Sequence, residues 1–344
     1  LLQQYNTLKQ QLPGVALYYA IKAFPYPAII EILDKAGACF DVASAGEIDL
    51  LQAQHISGRR TIHTHPIKKD AEIRAALRGG STTFVVDNID ELKKLLPYRQ
   101  RIGVLLRVSF RSETTQIDLS RKFGCSPDSV IELVEQASAL GAHIRGLSFH
   151  VGSQSTLPKA HVEAIERCSQ IINDAAAINP NPMDILDIGG GFPVSYNFED
   201  MDNEAYFTPI REAIKQYVPD GIRVIAEPGR YLIAPAVTAI SSVSGKAKRG
   251  DYQWYYLDDG VYGSYSGQIF DHACYPLQIL NDEAQREVAI LAGPTCDSID
   301  IIAEDIELPK LEEGDLVIGH MMGAYTYATS TQFNSLSGAS IIVI

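Results

Sequence analysis

The feature that most restricts the fold is an alternation running through the first two thirds of the chain. Short runs rich in β-branched and aromatic residues recur as ALYYAIK (16–22), CFDVAS (39–44), RTIHTHP (60–66), TTFVVD (82–87), GVLLRVS (103–109), IRGLSFHV (144–151), ILDIGGG (185–191) and RVIAEPG (223–229). Between them lie segments whose apolar residues return every three to four positions. They include PAIIEILDKAG, AGEIDLLQAQ, DAEIRAALRGG, NIDELKKLL, SPDSVIELVEQASALGA and the stretch 164–177. Many open on Ser, Asp or Asn, whose side chains cap helix N-termini. A strand reaches a parallel neighbour only through a crossover, most often a helix. Eight such units predict an α/β fold, a (β/α)8 TIM-like barrel over residues 1–230.

After Arg230 the pattern changes to β-prone runs, YLIAPAVTAISSVSG, YQWYYLDDG, EVAILAG, DLVIGH and ASIIVI, separated by turns. They predict an all-β C-terminal domain over 231–344. The chain opens on LLQQYNTLKQQL, which reads as the middle of an amphipathic helix without an initiator Met. Further residues are therefore expected ahead of Leu1, and a strand from them would complete the β-domain.

Charge and cysteine usage remove several function classes. The 29 basic residues face 42 acidic ones, a net of −13, and no Lys/Arg run could track a phosphate backbone, so nucleic acid is not an expected partner. An acidic surface attracts small cationic substrates, although solubility accounts for it equally well. Cys39, Cys125, Cys168, Cys274 and Cys296 are scattered with no CxxC pair. That argues against a disulfide framework and a zinc site, and for a reducing, cytoplasmic compartment. No apolar run reaches the roughly 18 residues that span a bilayer, so no membrane partner is expected.

In such a barrel the carboxyl ends of the strands build the active site. Here those ends hold Lys22, Asp41, His63, His65, Arg107, His150, Gly189 to Gly191 and Glu227. A lone strand-end lysine is usually a surface residue, but one that follows LYYAI is placed to be desolvated. Desolvation lowers its pKa and makes the amine a nucleophile. Three glycines after the seventh strand let backbone N–H groups approach an anion, at a common barrel position for phosphate. Glycine turns are also common in ordinary loops, and the spacing is not that of a dinucleotide site. Glu227 and Arg230 read either as site residues or as an ion pair closing the barrel.

The segments YYAIK, FDVASAGEI, RKFG, HVGS, DIGGGFP, AEPGRY, DDGVYGSY, FDHA, GPTCDSID and GAYT follow one another across nearly the whole chain. In order and spacing they resemble the fold type III decarboxylases that depend on pyridoxal 5'-phosphate (PLP), the ornithine and lysine decarboxylase group above all. The resemblance implies that Lys22 carries PLP as a Schiff base and that Glu227 pairs with the pyridine nitrogen. His150 would stack on the ring. Ser153, Gly189, Gly190, Gly191, Arg230 and Tyr325 would hold the phosphate, with Asp41 and Arg107 near Lys22 and the ring hydroxyl. Cys296 would return a proton to the α-carbon, reaching the site from the partner subunit of a homodimer with shared active sites. Asp271, Asp297 and Phe333 would receive the substrate.

The implied reaction is decarboxylation of a basic L-amino acid, ornithine to putrescine, with lysine, arginine or meso-diaminopimelate as alternatives. A racemase on this barrel would be expected to oppose the pyridine nitrogen with a cation, where this chain has Glu227. A non-catalytic relative of the antizyme-inhibitor kind need not keep Lys22 and Cys296. Phe24, following Ala23, stands where the family usually has a polar residue, and Ser335 where Gly is common, which leaves substrate size open.

Overall fold

The computed structural model describes residues 1–110, 121–197, 199, 201–280 and 285–344. They form two compact units. One is Leu2–Pro193 with Met201–Tyr231, and the other is Leu1, Val194–Asp200 and Leu232–Ile344. A single cut near residue 230 therefore misses a short excursion after the seventh strand, which carries too few residues to show any periodicity.

In the first unit, β1 (Ala16–Ala20), β2 (Cys39–Val42), β3 (Thr61–His63), β4 (Thr83–Val86), β5 (Gly103–Val108), β6 (Ile144–Phe149), β7 (Ile185–Asp187) and β8 (Arg223–Ala226) form a closed barrel. All pairs are parallel, and β8 closes on β1 with Leu17 opposite Ala226. Closure leaves no strand edge to cap. The helices are α1 (Leu2–Gln11), α2 (Pro27–Lys35), α3 (Ala45–Ala53), α4 (Asp70–Gly79), α5 (Ile89–Leu95), α6 (Val130–Ala139), α7 (Lys159–Ala175) and α8 (Asn203–Tyr217). Local capping sets several starts: Ser44 accepts from the Glu47 N–H, and Asn88 from the Asp90 and Glu91 N–H groups. Helix α8 was not among the segments read from the sequence. Pro209 interrupts its pattern, while Tyr206, Phe207 and Ile210 bury its inner face.

The barrel interior decides where the chemistry can sit. Tyr18, Ile62, Val85, Leu105, Ile185 and Ile225 pack together inside it, joined by Cys39. Successive strand side chains alternate between faces. Two residues further along, the same inward face carries Thr64, Asp87, Arg107, Asp187, Glu227 and Asp41. An apolar plug thus closes the barrel beneath a polar carboxyl end.

His63 belongs to the opposite face. It is fully buried and stacked on Phe84 at 5.7 Å, so this polar strand-end residue serves packing rather than the site. Burial pushes its pKa down to about 3. Nearby, Lys68 is only 2% exposed, and its Nζ donates to the carbonyls of His65, Pro66 and Val85. Three acceptors replace the lost hydration, yet burial still lowers its pKa to about 8.

In the second unit, α9 (Arg230–Ile233) begins in the barrel unit and leads into a six-stranded sheet. The strands are β9 (Ala239–Arg249), β10 (Tyr252–Leu257), β11 (Leu277–Ile279), β12 (Arg286–Ala292), β13 (Ile301–Pro309) and β14 (Leu316–Gly319), with α10 (Gly267–Asp271) between β10 and β11. Their order is β11-β14-β9-β10-β12-β13, antiparallel except where β10 meets β12. Tyr255, Leu257, Tyr265, Leu291, Leu311 and Val317 form its core. Two expected β runs differ: residues 230–236 are helical, and ASIIVI pairs with no strand among the described residues. Such a run extends into a ladder only where a partner's N–H and C=O groups meet it.

Candidate active site

The carboxyl end of the barrel gathers the first set of charged residues. Strand β1 ends in a tight turn, Ile21–Ala23, that carries Lys22. Its Nζ lies 2.9 Å from Asp41 Oδ2, and the Asp41 side chain is 1% exposed. The other Asp41 oxygen accepts from the Thr64 hydroxyl. Pairing of Ala20 with Asp41 in the β1–β2 register brings the two side chains together. Ala23 and Phe24 are both buried, and Phe24 packs edge-on against Tyr26.

Glu47, on the first turn of α3, accepts from the Ala43 N–H at 2.5 Å. Burial, with the Asp41 carboxylate adding to it, raises its pKa to about 7. Arg107 lies over the Phe123 ring at 5.5 Å, and His65 meets the same ring edge-on at 5.3 Å. Phe123 of RKFG is thus an aromatic prop for both. Burial lowers the Arg107 pKa, while Glu227, Asp87, Asp187 and Asp41 counter it.

The loops after β6, β7 and β8 interlock. The His150 Nδ1 accepts from the Gly152 N–H at 3.0 Å, which places a neutral ring's proton on Nε2. Burial, then the Arg107 and Lys22 charges, hold its pKa well down. The Glu227 N–H donates to the Gly189 carbonyl at 2.7 Å, and the Ser155 N–H to the Gly191 carbonyl at 2.9 Å. Gly189 and Gly191 take left-handed backbone, φ +65° and +91°. Gly190 needs space instead: a Cβ there would lie 2.5 Å from the Glu227 carbonyl oxygen and 3.4 Å from His150 Nε2. Arg230 Nη2 donates to Ser153 Oγ at 3.2 Å.

Beneath this turn, His161 of α7 donates from Nε2 to the Gly190 carbonyl and stacks on Phe192 at 5.0 Å. Burial lowers its pKa to about 4 and so keeps it neutral. Neither Thr64 nor His161 was singled out from the sequence. The period-two pattern could have found Thr64, but a helix histidine facing a loop carbonyl leaves no local signature.

The second unit holds the remaining sequence-derived residues. Tyr262 hydroxyl donates to Asp297 Oδ2 at 2.5 Å and its ring stacks on Phe333 at 4.6 Å. The Cys296 N–H donates to Asn334 Oδ1 at 3.1 Å, and the Cys296 side chain is exposed. Cys296, Asp297 and Phe333 therefore form one cluster with Tyr262 and Asn334. The hydroxyl of Tyr262 holds the Asp297 carboxyl below its usual range. Asp300, also in GPTCDSID, is 2% exposed and accepts from the Val261 and Thr295 N–H groups. It fastens two loops, a structural role that the motif alone does not separate from that of Asp297. Asp271 is the last residue of α10, and Tyr325 sits at φ +54°.

A parallel barrel whose open end collects a lysine paired with a carboxylate, a neutral histidine, an acid and a glycine turn beside an arginine defines a PLP-dependent barrel enzyme. The chain belongs to the family described as pyridoxal-dependent decarboxylase, whose pyridoxal-binding domain matches residues 1–234. It is 35% identical over 342 residues to the lysine/ornithine decarboxylase of Selenomonas ruminantium, covering 99% of this chain and 86% of that one. The lysine/ornithine decarboxylase of Vibrio vulnificus, solved with cadaverine, superposes with a TM-score of 0.93 at 47% identity, covering 98% and 88% of the two chains. An arginine decarboxylase of Paramecium bursaria Chlorella virus, bound to agmatine, gives 0.92 at 29% identity over 97% and 90%.

Among the described residues, no helix is long and apolar enough to cross a membrane.

Proposed function

We propose that the protein removes the α-carboxyl group of ornithine as carbon dioxide, yielding putrescine, and accepts lysine as a second substrate. The observation that carries the reading is the grouping of Lys22, Asp41, Arg107 and Glu227 at one end of a plugged barrel. These residues fit PLP chemically. The cradle at Gly190 leaves room that any side chain would fill, next to Arg230 and Ser153 as partners for a phosphate. When bound, PLP supplies an electron sink for the negative charge left at the α-carbon as carbon dioxide departs.

The chain's own residues do the rest. Lys22 supplies the amine that anchors the cofactor, and Asp41, fixed by Thr64, orients it. Glu227 would pair with the pyridine nitrogen and keep it protonated. The neutral His150 ring offers a flat surface for stacking. Arg230, Ser153, Gly189, Gly190, Gly191 and Tyr325 would hold the phosphate, with Arg107 toward the ring hydroxyl.

Asp297, oriented by Tyr262, and Asp271 receive the distal ammonium of the substrate, with Phe333 along its methylenes. Cys296 protonates the α-carbon across a homodimer whose sites are shared. Likeness to an enzyme solved with cadaverine supports lysine as the second substrate. Cys39, Cys125, Cys168, Cys274 and Cys296 all have free thiols, which suits the reducing cytoplasm.

Purified protein with PLP, offered ornithine, lysine, arginine and meso-diaminopimelate separately, is expected to release carbon dioxide from the first two, with putrescine and cadaverine formed. Lys22→Ala should abolish release. Turnover by that variant, or release only from diaminopimelate, overturns the reading.

A further inference from the structure

Asp187 lies on the inward face of β7, two residues beyond Ile185, and is fully buried. Its Oδ1 accepts from the Gly189 N–H at 2.9 Å. Its Oδ2 meets no donor group. What lies against Asp187 instead is the Glu227 carboxyl, in hydrogen-bonding contact from the residue that follows β8. Two ionised carboxylates can only accept, so a hydrogen bond between them requires a proton on one of them.

The surroundings favour keeping that proton. Asp41 from β2 adds a carboxylate to the same interior, while Lys22 from the turn after β1 and Arg107 from β5 supply the cations, and the Tyr18 phenol lies below. Burial raises the proton affinity of both members, that of Asp187 to about 6.

We propose that Asp187 is a positioning residue for Glu227: the two carboxyls hold one proton between them and present a single negative charge to the pyridine nitrogen of PLP. A protonated pyridine and a singly charged pair sum to zero, the least costly state in a desolvated site. Asp187 also ties this pair to the phosphate turn, because its Oδ1 accepts from the Gly189 N–H. The inference rests on the PLP reading of the site, and its test includes a measurement independent of the cofactor.

Infrared spectra of the full chain, taken without PLP and with it, should each show a protonated-carboxyl band at neutral pH, isolated by subtracting a variant's spectrum from that of the wild type. Asp187→Asn and Glu227→Gln should each lose it, and subtraction removes other protonated carboxyls such as Glu47. PLP titration supplies a second readout. Asp187→Ala is expected to bind PLP about tenfold more weakly, the usual cost of unpairing a buried polar group. Asp187→Asn can donate where the shared proton sat, and should rescue most of that loss. A band that persists in Asp187→Asn, or wild-type affinity in Asp187→Ala, overturns the proposal. If Asp187→Ala does not fold, the Glu227→Gln spectrum decides by itself. A wild-type chain that binds no PLP yet shows the band would instead sink the PLP reading.

Discussion

One methyl group tests the glycine turn. Gly190 has no left-handed backbone, so Gly190→Ala adds no conformational strain and only places a carbon 2.5 Å from the Glu227 carbonyl oxygen. The turn or Glu227 must move. PLP affinity should fall at least about tenfold, by analogy with misplacement of other site-supporting groups, and the unfolding midpoint should fall as well, because the obstructing atom is backbone. Ser335 is the reverse case. Both it and Asn334 sit in the left-handed region, at φ +57° and +56°. Asn tolerates that region better than Ser. Ser335→Gly should therefore raise stability by about 0.5–1 kcal/mol in urea unfolding. At this scale the sequence was most readable where chemistry and context coincide, as for Lys22 after a buried apolar run. It was least readable for Asp187, whose neighbours in DIGGG drew attention to the backbone.

The β2–α3 connection shows what an element adds. Glu47 accepts from Ala43 while sharing space with Asp41. Its pKa in the fold, about 7, lies above the ordinary 4.5. The protonated form is therefore favoured by folding. That contribution is complete below about pH 4.5 and is lost as pH rises through 7. In the cofactor-free protein, wild-type stability should fall by on the order of 3 kcal/mol across this window relative to Glu47→Gln. Urea unfolding of both proteins at several pH values measures it, and parallel profiles would refute it. Strands were legible because a buried parallel strand reads as an apolar run between turn signals. Helix α8 was not, because its internal Pro209 broke the period. Residues 231–236 read as β in the sequence yet are helical, because short helical turns leave too few repeats to distinguish.

For the whole molecule, the eightfold alternation made the barrel legible, since few topologies satisfy so many parallel crossovers. The pairing of chains was not legible from pattern, because an interface between copies has no sequence period. The shared-site reading makes a counting prediction. Lys22→Ala and Cys296→Ala proteins should each be inactive, yet mixing them should restore activity. After free exchange about half the dimers are mixed and roughly a quarter of all sites native, by symmetric pairing. If exchange is verified and the mixture stays inactive, the sites are not shared.

The three carbonyls that enclose the Lys68 ammonium also give the molecule a built-in clock. An amine-reactive acylating reagent cannot reach this nitrogen while β3, β4 and the loop between them hold together. Once exposed it regains the proton affinity of an ordinary lysine, so at mildly alkaline pH it reacts through its unprotonated fraction as other surface lysines do. The time course of acylation at Lys68, followed by peptide mass, should therefore report how often that side of the barrel opens.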